Sequence, residues 1–280
     1  MNLFRIRNYK ENLAHEERMK NTYVYYKTVE NNLIRNTEGE FFINGFSYPA
    51  GQQVDFLVDY NYSDGKSINW RERVVCPVTQ LNNRLRATYH IFQLEASLYP
   101  EDKIYISEQV TPFYQFIIEK YKNVEGSEFL GDKIKFGIKD RRGVRNEDLS
   151  NLTFESESFD RILSLDCFEH FPEFNKAFSE CCRVLKKGGK MVWSVPFNRK
   201  SEKNIIRASV NQSGEVVHHL EPEYHGDPIN DAGCLCFTHF GWEMLDNVRA
   251  AGFSDAYAVM YWSKEFGYLG GEQILFVAVR

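Results

Sequence analysis

Residues 158–197 read SFDRILSLDCFEHFPEFNKAFSECCRVLKKGGKMVWSVPF. Phe159 to Leu165 is a short apolar run between acids, which predicts a buried strand. Asp166, Glu169 and His170 stand at its carboxyl end. Phe174, Ala177, Phe178, Cys181, Cys182, Val184 and Leu185 then recur at helical spacing. Lys186-Lys187-Gly188-Gly189 closes that helix, with cations in the last turn and glycine at the stop. Met191 to Val195 is the next buried strand. A strand–helix–strand unit of this length is a right-handed parallel crossover. Ligands bind such units at the carboxyl ends of the strands, where these polar residues fall.

The spacing F-D-x-x-x-S-x-D-x-x-E-H, followed by R-V-L-K-x-G-G, resembles the fourth strand, next helix and fifth strand of class I S-adenosylmethionine (SAM)-dependent methyltransferases. The resemblance runs from about Lys103 to the C-terminus. It implies an α/β fold, a Rossmann-like seven-stranded sheet flanked by helices, with SAM as cofactor.

Composition bounds the rest. A chain of 280 residues holds one large domain, or one domain with an appendage. No apolar run reaches membrane-spanning length. The N-terminus, MNLFRIRNYKENLAHEERMK, is too charged for a secretory signal. Six scattered cysteines make no disulfide framework, so a reducing cytoplasm is expected. A net charge of −5 without a long basic block argues against a nucleic-acid substrate. A small-molecule substrate is expected, and a homodimer is compatible with the chain.

Residues 1–98 read as a small α+β module. Tyr9 to Ile34 is helical and polar, an arm or lid; Phe41 to Asp59 suggests a hairpin; Arg71 to Cys76 suggests a short strand. A helix runs from about Gln80 to Leu98, before Pro100. NWRERVVCPVTQLNNRLRA is similar to the second knuckle of a zinc ribbon that precedes some bacterial methyltransferase domains. That pattern needs two cysteine pairs. Here Cys76-Pro77-Val78-Thr79 keeps one cysteine, and Ser47-Tyr48-Pro49-Ala50 keeps none. Structural zinc wants four thiolate or imidazole ligands. A ribbon-like fold without zinc is expected, held by Phe41, Phe42, Phe46, Tyr48, Phe56 and Trp70.

Residues 99–280 form the expected methyltransferase domain. Its strands are placed at Lys103 to Ser107, Val124 to Phe129, near Val144, Phe159 onward and Met191 onward. Thr111-Pro112 starts a helix, threonine as N-cap and proline in the first turn. Phe240 to Ala251 is a further helix, and Ala256 to Trp262 and Ile274 to Val279 are paired final strands, antiparallel by the resemblance.

The resemblance also distributes the cofactor contacts. The family's glycine-rich turn after the first strand is absent, and Ser107-Glu108-Gln109-Val110-Thr111-Pro112 stands there. Side chains obstruct the close backbone approach that glycine allows. In its place, Glu108 is expected to pair with the methionine ammonium. Thr111 and the free N–H groups at the helix start are expected to bind the carboxylate. Glu128, followed by Phe129, takes the position of the acid that binds both ribose hydroxyls. Asp148 takes that of the adenine-amine partner, with Leu149 facing the ring. Asp166 lines the methionine end. A surface role for Glu108 and an N-cap role for Asp148 are the competing readings.

Of the seven histidines, His218, His219, His225 and His239 fall in one polar, aromatic insertion, residues 198–238 and its border. It follows the fifth strand directly, so it is read as a substrate lid. HHLEPEYHGDP resembles a segment of one bacterial subgroup of these enzymes. His225 is the expected general base, oriented by Glu223 or Asp227, with His219 as alternative. Arg207, Tyr224, His218 and His239 are expected to bind the acceptor. A hydrogen-bonded clamp is an alternative. So is a metal bound by His218, His219, Glu223, His225 and Asp227, but the spacing fits no strong metal signature and no metal ligand is assigned. The expected reaction is O-methylation of a saccharide or sugar-nucleotide-type metabolite. The rival readings are an RNA or protein methyltransferase and a non-catalytic binding protein.

Overall fold

The computed structural model describes residues 1–35, 39–229 and 232–280. The chain opens with β1 (Asn2–Ile6), α1 (Tyr9–Leu33), β2 (Phe41–Ser47), β3 (Gln52–Val58) and α2 (Asn83–Ala96). Next come β4 (Ile104–Ile106), α3 (Pro112–Lys120), β5 (Val124–Gly126), β6 (Phe159–Leu165), α4 (Phe174–Val184) and β7 (Leu185–Ser194). Six short strands follow: β8 (Ile205–Ile206), β9 (Ala208–Val210), β10 (Val216–His218), β11 (Tyr224–His225), β12 (Cys234–Leu235) and β13 (Thr238–His239). The chain closes with α5 (Glu243–Ala250), β14 (Asp255–Ser263) and β15 (Tyr268–Val279). The main sheet is mixed and seven-stranded, in the order β1-β14-β15-β7-β6-β4-β5. No described helix is long and apolar enough to cross a membrane.

Two compact units divide the chain. One comprises 1–6, 10–98 and 258–275; the other comprises 7–9, 99–257 and 276–280. The sequence reading put all of 99–280 in one domain, whereas 258–275 groups with the N-terminal residues. The reason is pairing and capping. β1 pairs antiparallel with β14, Asn2 opposite Trp262 through Ile6 opposite Ala258. Glu30 Oε1 accepts from Trp262 Nε1 at 2.8 Å, Gly270 N at 2.9 Å and Gly271 N at 2.8 Å. The fully buried Arg86 donates to the carbonyls of Phe266 (2.6 Å), Val74 (3.0 Å) and Gly267 (3.1 Å).

In this first unit β2 and β3 form the expected hairpin, Phe41 opposite Val58 through Ser47 opposite Gln52. Helix α1 is not a free arm: Met19 and Tyr26 enter the core with Phe41, Phe56 and Trp262. Tyr26 stacks on Trp262 at 4.0 Å. Phe42 points to solvent, 61% exposed, because alternation along β2 buries its neighbours instead. Arg71 to Cys76 forms no strand, only a bridge from Val75 to Leu57. Ser47 Oγ donates to Cys76 Sγ at 3.2 Å, so a hydroxyl stands beside the single remaining thiol.

In the second unit β4 pairs in parallel with β5 and β6, and β6 with β7; β15 joins β7 antiparallel from Phe276 to Val279. The crossover at 158–197 matches its reading, with one change. Helix α4 stops at Val184, and Lys186-Lys187-Gly188-Gly189 bulges out of β7. Pairing passes from Phe159–Leu185 to Arg161–Lys190, and a Cβ on Gly189 would lie 2.7 Å from the Lys186 carbonyl. Trp193, Phe178 and Phe276 are fully buried here, each contributing about 1.5–3 kcal/mol. The strand expected near Val144 is absent among the described residues: only bridges Glu128–Asn146 and Lys139–Arg145 form. Backbone bonds join Glu128 to Arg145 and Glu147 (2.9 and 3.0 Å), and the Asn146 side chain adds bonds to Leu130 N at 2.7 Å and the Gly131 carbonyl at 3.0 Å. The seventh strand is β1.

Candidate functional site

The carboxyl ends of β4, β5 and β6 carry the residues expected to hold a cofactor. After β4, Ser107 Oγ donates to Ser164 Oγ at 2.7 Å. Glu128, just beyond β5, accepts through Oε1 from Gln109 N (2.6 Å) and Val110 N (2.9 Å). The glycine-free turn is therefore held by a carboxylate, which takes up two of its N–H groups ahead of the helix. Glu128 Oε2 carries no hydrogen bond among the described residues, so one oxygen rather than two is left for a diol. Burial pushes the Glu128 carboxyl up; the two amides oppose this, and the Asp227 carboxylate reinforces it. Thr111 Oγ1 accepts from Tyr114 N at 3.1 Å, which spends it as the N-cap of α3. Glu108 is partly buried on the same turn.

Asp148 Oδ1 accepts from Ser150 N (2.8 Å) and Ser150 Oγ (2.7 Å), a local turn. Leu149 is buried, while Phe129 is exposed and lies over Phe136 at 6.1 Å. Asp166 has a positive φ of 46°, at the end of β6. Its N–H donates to the Ser194 carbonyl at 2.9 Å, and its Oδ1 accepts from Ser194 Oγ at 2.8 Å. This ties the end of β6 to the end of β7.

The insertion after β7 lays four two-residue strands, β8, β11, β12 and β13, beside the turn Phe168–His170. β8 pairs with β13, and β11 with β12. Phe237 N donates to the Glu169 carbonyl at 2.7 Å and Cys236 N to the Glu223 carbonyl at 2.8 Å. These contacts gather Glu169, His170, Glu223, His225, Cys236 and His239. Glu223 Oε1 meets His225 Nε2 and His239 Nε2, both at 3.1 Å, and its Oε2 meets Arg207 Nη2 at 3.1 Å. His225 Nδ1 faces Glu169 Oε1 at 3.5 Å, and the His225 ring lies 5.0 Å from that of His170. The Cys236 sulfur and the Glu169 and Glu223 carboxylates push His225 up to about 11 against the effect of burial. Burial pushes Glu169 up, with His225 opposing. Glu223 is held below the usual carboxylate range: partial burial would raise it, but the His225 and His239 imidazoles prevail.

Two expected site residues meet this cluster, His239 and Arg207, beside Glu223 and His225. Others do not. His218 and His219 are exposed, and His219 Nε2 pairs with Ser209 Oγ at 2.9 Å on the β9–β10 hairpin. Tyr224 is 58% exposed because β11 alternates it away from His225. Asp227 accepts from Ile229 N at 2.8 Å and Cys234 Sγ at 3.2 Å, and does not orient His225. The carboxylates on either side of His225 favour its protonated form, which opposes its reading as a base. The sequence reading noted Glu169-His170 at the carboxyl end of the strand without assigning the pair a role, and gave Cys236 none. The pair at the carboxyl end of β6 was the visible signal.

Strand order, the carboxyl-end loops and the acid beyond β5 together define an α/β cofactor-binding domain. Residues 122–193 match the family model described as "Methyltransferase domain". That match identifies residues 122–193 as part of a methyltransferase domain. A 39-residue stretch, 14% of this chain and 9% of the relative, is 46% identical to phosphoethanolamine N-methyltransferase 2 of Caenorhabditis elegans. A 90-residue stretch, 28% of this chain and 32% of the relative, is 30% identical to phthiotriol/phenolphthiotriol dimycocerosates methyltransferase 1 of Mycobacterium ulcerans (strain Agy99). The chain thus spans less than two thirds of the length of either curated relative. Among solved structures, 1,6-didemethyltoxoflavin-N1-methyltransferase of Burkholderia thailandensis is 15% identical, with a TM-score of 0.43. That match covers 70% of this chain and 77% of that one. The family match does not reach residues 1–121 and lends no support to the zinc-ribbon resemblance.

Proposed function

We propose that this chain transfers a methyl group from SAM to a small polar acceptor, and that the reaction is O-methylation of a saccharide or sugar-nucleotide-type metabolite. The carrying observation is Glu128. A carboxylate beyond β5, with one oxygen fixing the turn after β4 and the other left over, suits a ribose hydroxyl. Asp148 Oδ2, with no hydrogen bond among the described residues, suits the adenine amine, and Leu149 gives an apolar wall. Glu108 and the Asp166 backbone serve the methionine end. SAM supplies an electrophilic methyl whose positive charge is neutralised as transfer proceeds.

The protein's part is alignment and removal of one proton from a hydroxyl. His239, oriented by Glu223 at 3.1 Å and partly exposed, replaces His225 as the proposed base. Arg207, held by Glu223 and by the Glu221 carbonyl at 2.8 Å, faces an anionic or polyhydroxylated acceptor. The arginines that would favour an RNA substrate are already engaged. Arg71 and Arg84 pair with Glu72, Arg73 pairs with Asp59, and Arg86 is buried. This supports a small acceptor.

Calorimetric titration with S-adenosylhomocysteine (SAH) tests the cofactor, and a screen of hydroxylated acceptors with SAM tests transfer. Binding without transfer in His239→Ala is the expected result. Transfer undiminished in His239→Ala sinks the base assignment. Absence of SAH binding by the unmodified chain sinks the enzyme reading and leaves a binding protein of the same fold.

A further inference from the structure

Glu169 is the most unusual side chain in the second unit. It is 0% exposed, and neither carboxylate oxygen has a hydrogen-bond partner. An unpaired buried carboxylate costs several kcal/mol. Its nearest polar neighbours are His225 Nδ1 at 3.5 Å and His170 Nε2 at 3.7 Å, both too long for a hydrogen bond. The three donor atoms lie within 4.8 Å of one another.

The outer hydrogen bonds set the tautomers. His170 Nδ1 lies 2.8 Å from the Leu235 carbonyl, which only accepts, so Nδ1 carries the hydrogen. The Nε2 lone pair of neutral His170 then faces Glu169. His225 Nε2 lies 3.1 Å from Glu223 Oε1, so that nitrogen likewise carries a hydrogen and Nδ1 faces inward. Two inward ring nitrogens and a carboxylate oxygen repel unless a proton or a metal cation lies between them. Holding the far N–H of a ligating histidine on a carbonyl or carboxylate is how proteins orient metal-binding imidazoles.

We propose that Glu169, His170 and His225 bind one divalent transition-metal ion, of the zinc or iron(II) type. Two imidazoles and one carboxylate, with a coordination position left open, are the donor set of such sites. Ligands about 2.0–2.1 Å from a tetrahedral ion stand about 3.3 Å apart, so the two gaps to Glu169 close by a few tenths of an ångström and the ring nitrogens, within 4.8 Å, close by up to about 1.5 Å. His170 and His225 are 16% and 27% exposed on their side chains, which gives solvent or an acceptor hydroxyl access to the open position. Glu223 acts as a positioning residue on His225. The neighbouring group Glu223, Cys236 and His239 is not a second ion site: Glu223 Oε1 already serves two imidazoles, and Cys236 Sγ donates to the Thr238 carbonyl at 3.5 Å.

This site stands on its own donors and does not depend on the methyl-transfer reading. The test strips the full chain with a chelator and titrates it with Zn²⁺, and with Co²⁺ as a visible probe, while SAH titration runs in parallel. One equivalent binds at micromolar affinity or tighter, Co²⁺ develops visible bands, and Zn²⁺ displaces it. Glu169→Gln and His170→Ala abolish the Co²⁺ bands. Glu223→Gln weakens binding about 10–100-fold with the bands retained. His219→Ala, on the exposed hairpin, changes nothing. Melting temperatures of the stripped variants no lower than that of the stripped parent show that folding is intact. Millimolar binding by the parent, or unchanged bands in Glu169→Gln, overturns the proposal whatever SAH does. SAH binding without metal binding overturns this proposal alone, and metal binding without SAH overturns the cofactor reading alone.

Discussion

Replacing Glu128 separates its two roles. Its Oε1 holds two backbone N–H groups, Gln109 at 2.6 Å and Val110 at 2.9 Å, which fix the glycine-free turn. In Glu128→Ala both donors lose their acceptor. A donor left without its partner costs about 1–3 kcal/mol, and partial exposure of this turn puts each at the low end. The loss is then about 2–3 kcal/mol. For a unit of this size that lowers the melting temperature by roughly 4–12 °C. Glu128→Gln keeps an acceptor oxygen. Burial pushes the Glu128 carboxyl up, so the charge itself is disfavoured in the fold, and the neutral amide escapes that penalty. Glu128→Gln therefore melts within about 2 °C of the parent. SAH affinity behaves differently, because a charged acceptor for a ribose hydroxyl is lost in both. At about 1.5–3 kcal/mol for such a bond, the Kd rises roughly 10–150-fold in either variant. The assays are scanning calorimetry and isothermal titration. Equal destabilisation by Gln and Ala would refute the burial argument. Unchanged SAH affinity in Glu128→Gln would refute the cofactor role.

Arg86→Met removes the buried guanidinium from three carbonyls, Phe266, Val74 and Gly267. Urea unfolding should report a loss of about 3 kcal/mol, and Arg86→Lys should not restore it, since one ammonium cannot span that fork; a change under about 0.5 kcal/mol contradicts this. Gly233 has φ +74°, and a Cβ there would lie 2.4 Å from the His225 carbonyl. Gly233→Ala adds about 1–2 kcal/mol of left-handed strain to that clash, so amide exchange across β11 and β12 should quicken while α4 is unaffected; unchanged exchange rules this out. Against burial that would raise it, the Lys186 ammonium and the Lys103 N–H hold Asp160 below the usual carboxylate range. A depressed carboxyl stabilises above its unfolded value, and the contribution disappears as pH falls through the folded one. Chemical unfolding at pH 7 and pH 3 should therefore show a smaller acid-induced loss in Lys186→Met than in the parent, and equal losses would contradict the pairing.

Much of the fold was legible because local patterns and packing agreed. Phe159–Leu165 is a strand with the bounds its apolar run suggested, and Thr111-Pro112 starts α3 as capping chemistry requires. Where the reading failed, a distant partner had overridden a local signal. The cations and glycines at 186–189 looked like a helix stop, but the pairing of β6 with β7 claims them as a bulge. Val144 looked like a strand, but pairing there shrinks to one parallel bridge, Glu128 with Asn146, and the Asn146 side chain turns to the 130–131 loop instead.

The sequence by itself determined the parallel crossover, the cofactor class it resembles and the polar insertion behind it. These rest on short-range periodicity and spacing, which a linear string records. Only the tertiary structure decided what the charged groups do. Glu128 is 19 residues from Gln109, and Glu169 lies far along the chain from His225, yet each pair shares one small volume. Burial and the exact facing atoms then set protonation and pairing, taking the base role from His225 and drawing Glu169 and His170 into one cluster with it. No spacing rule carries that information, because desolvation and a few ångströms of approach exist only once the chain has folded.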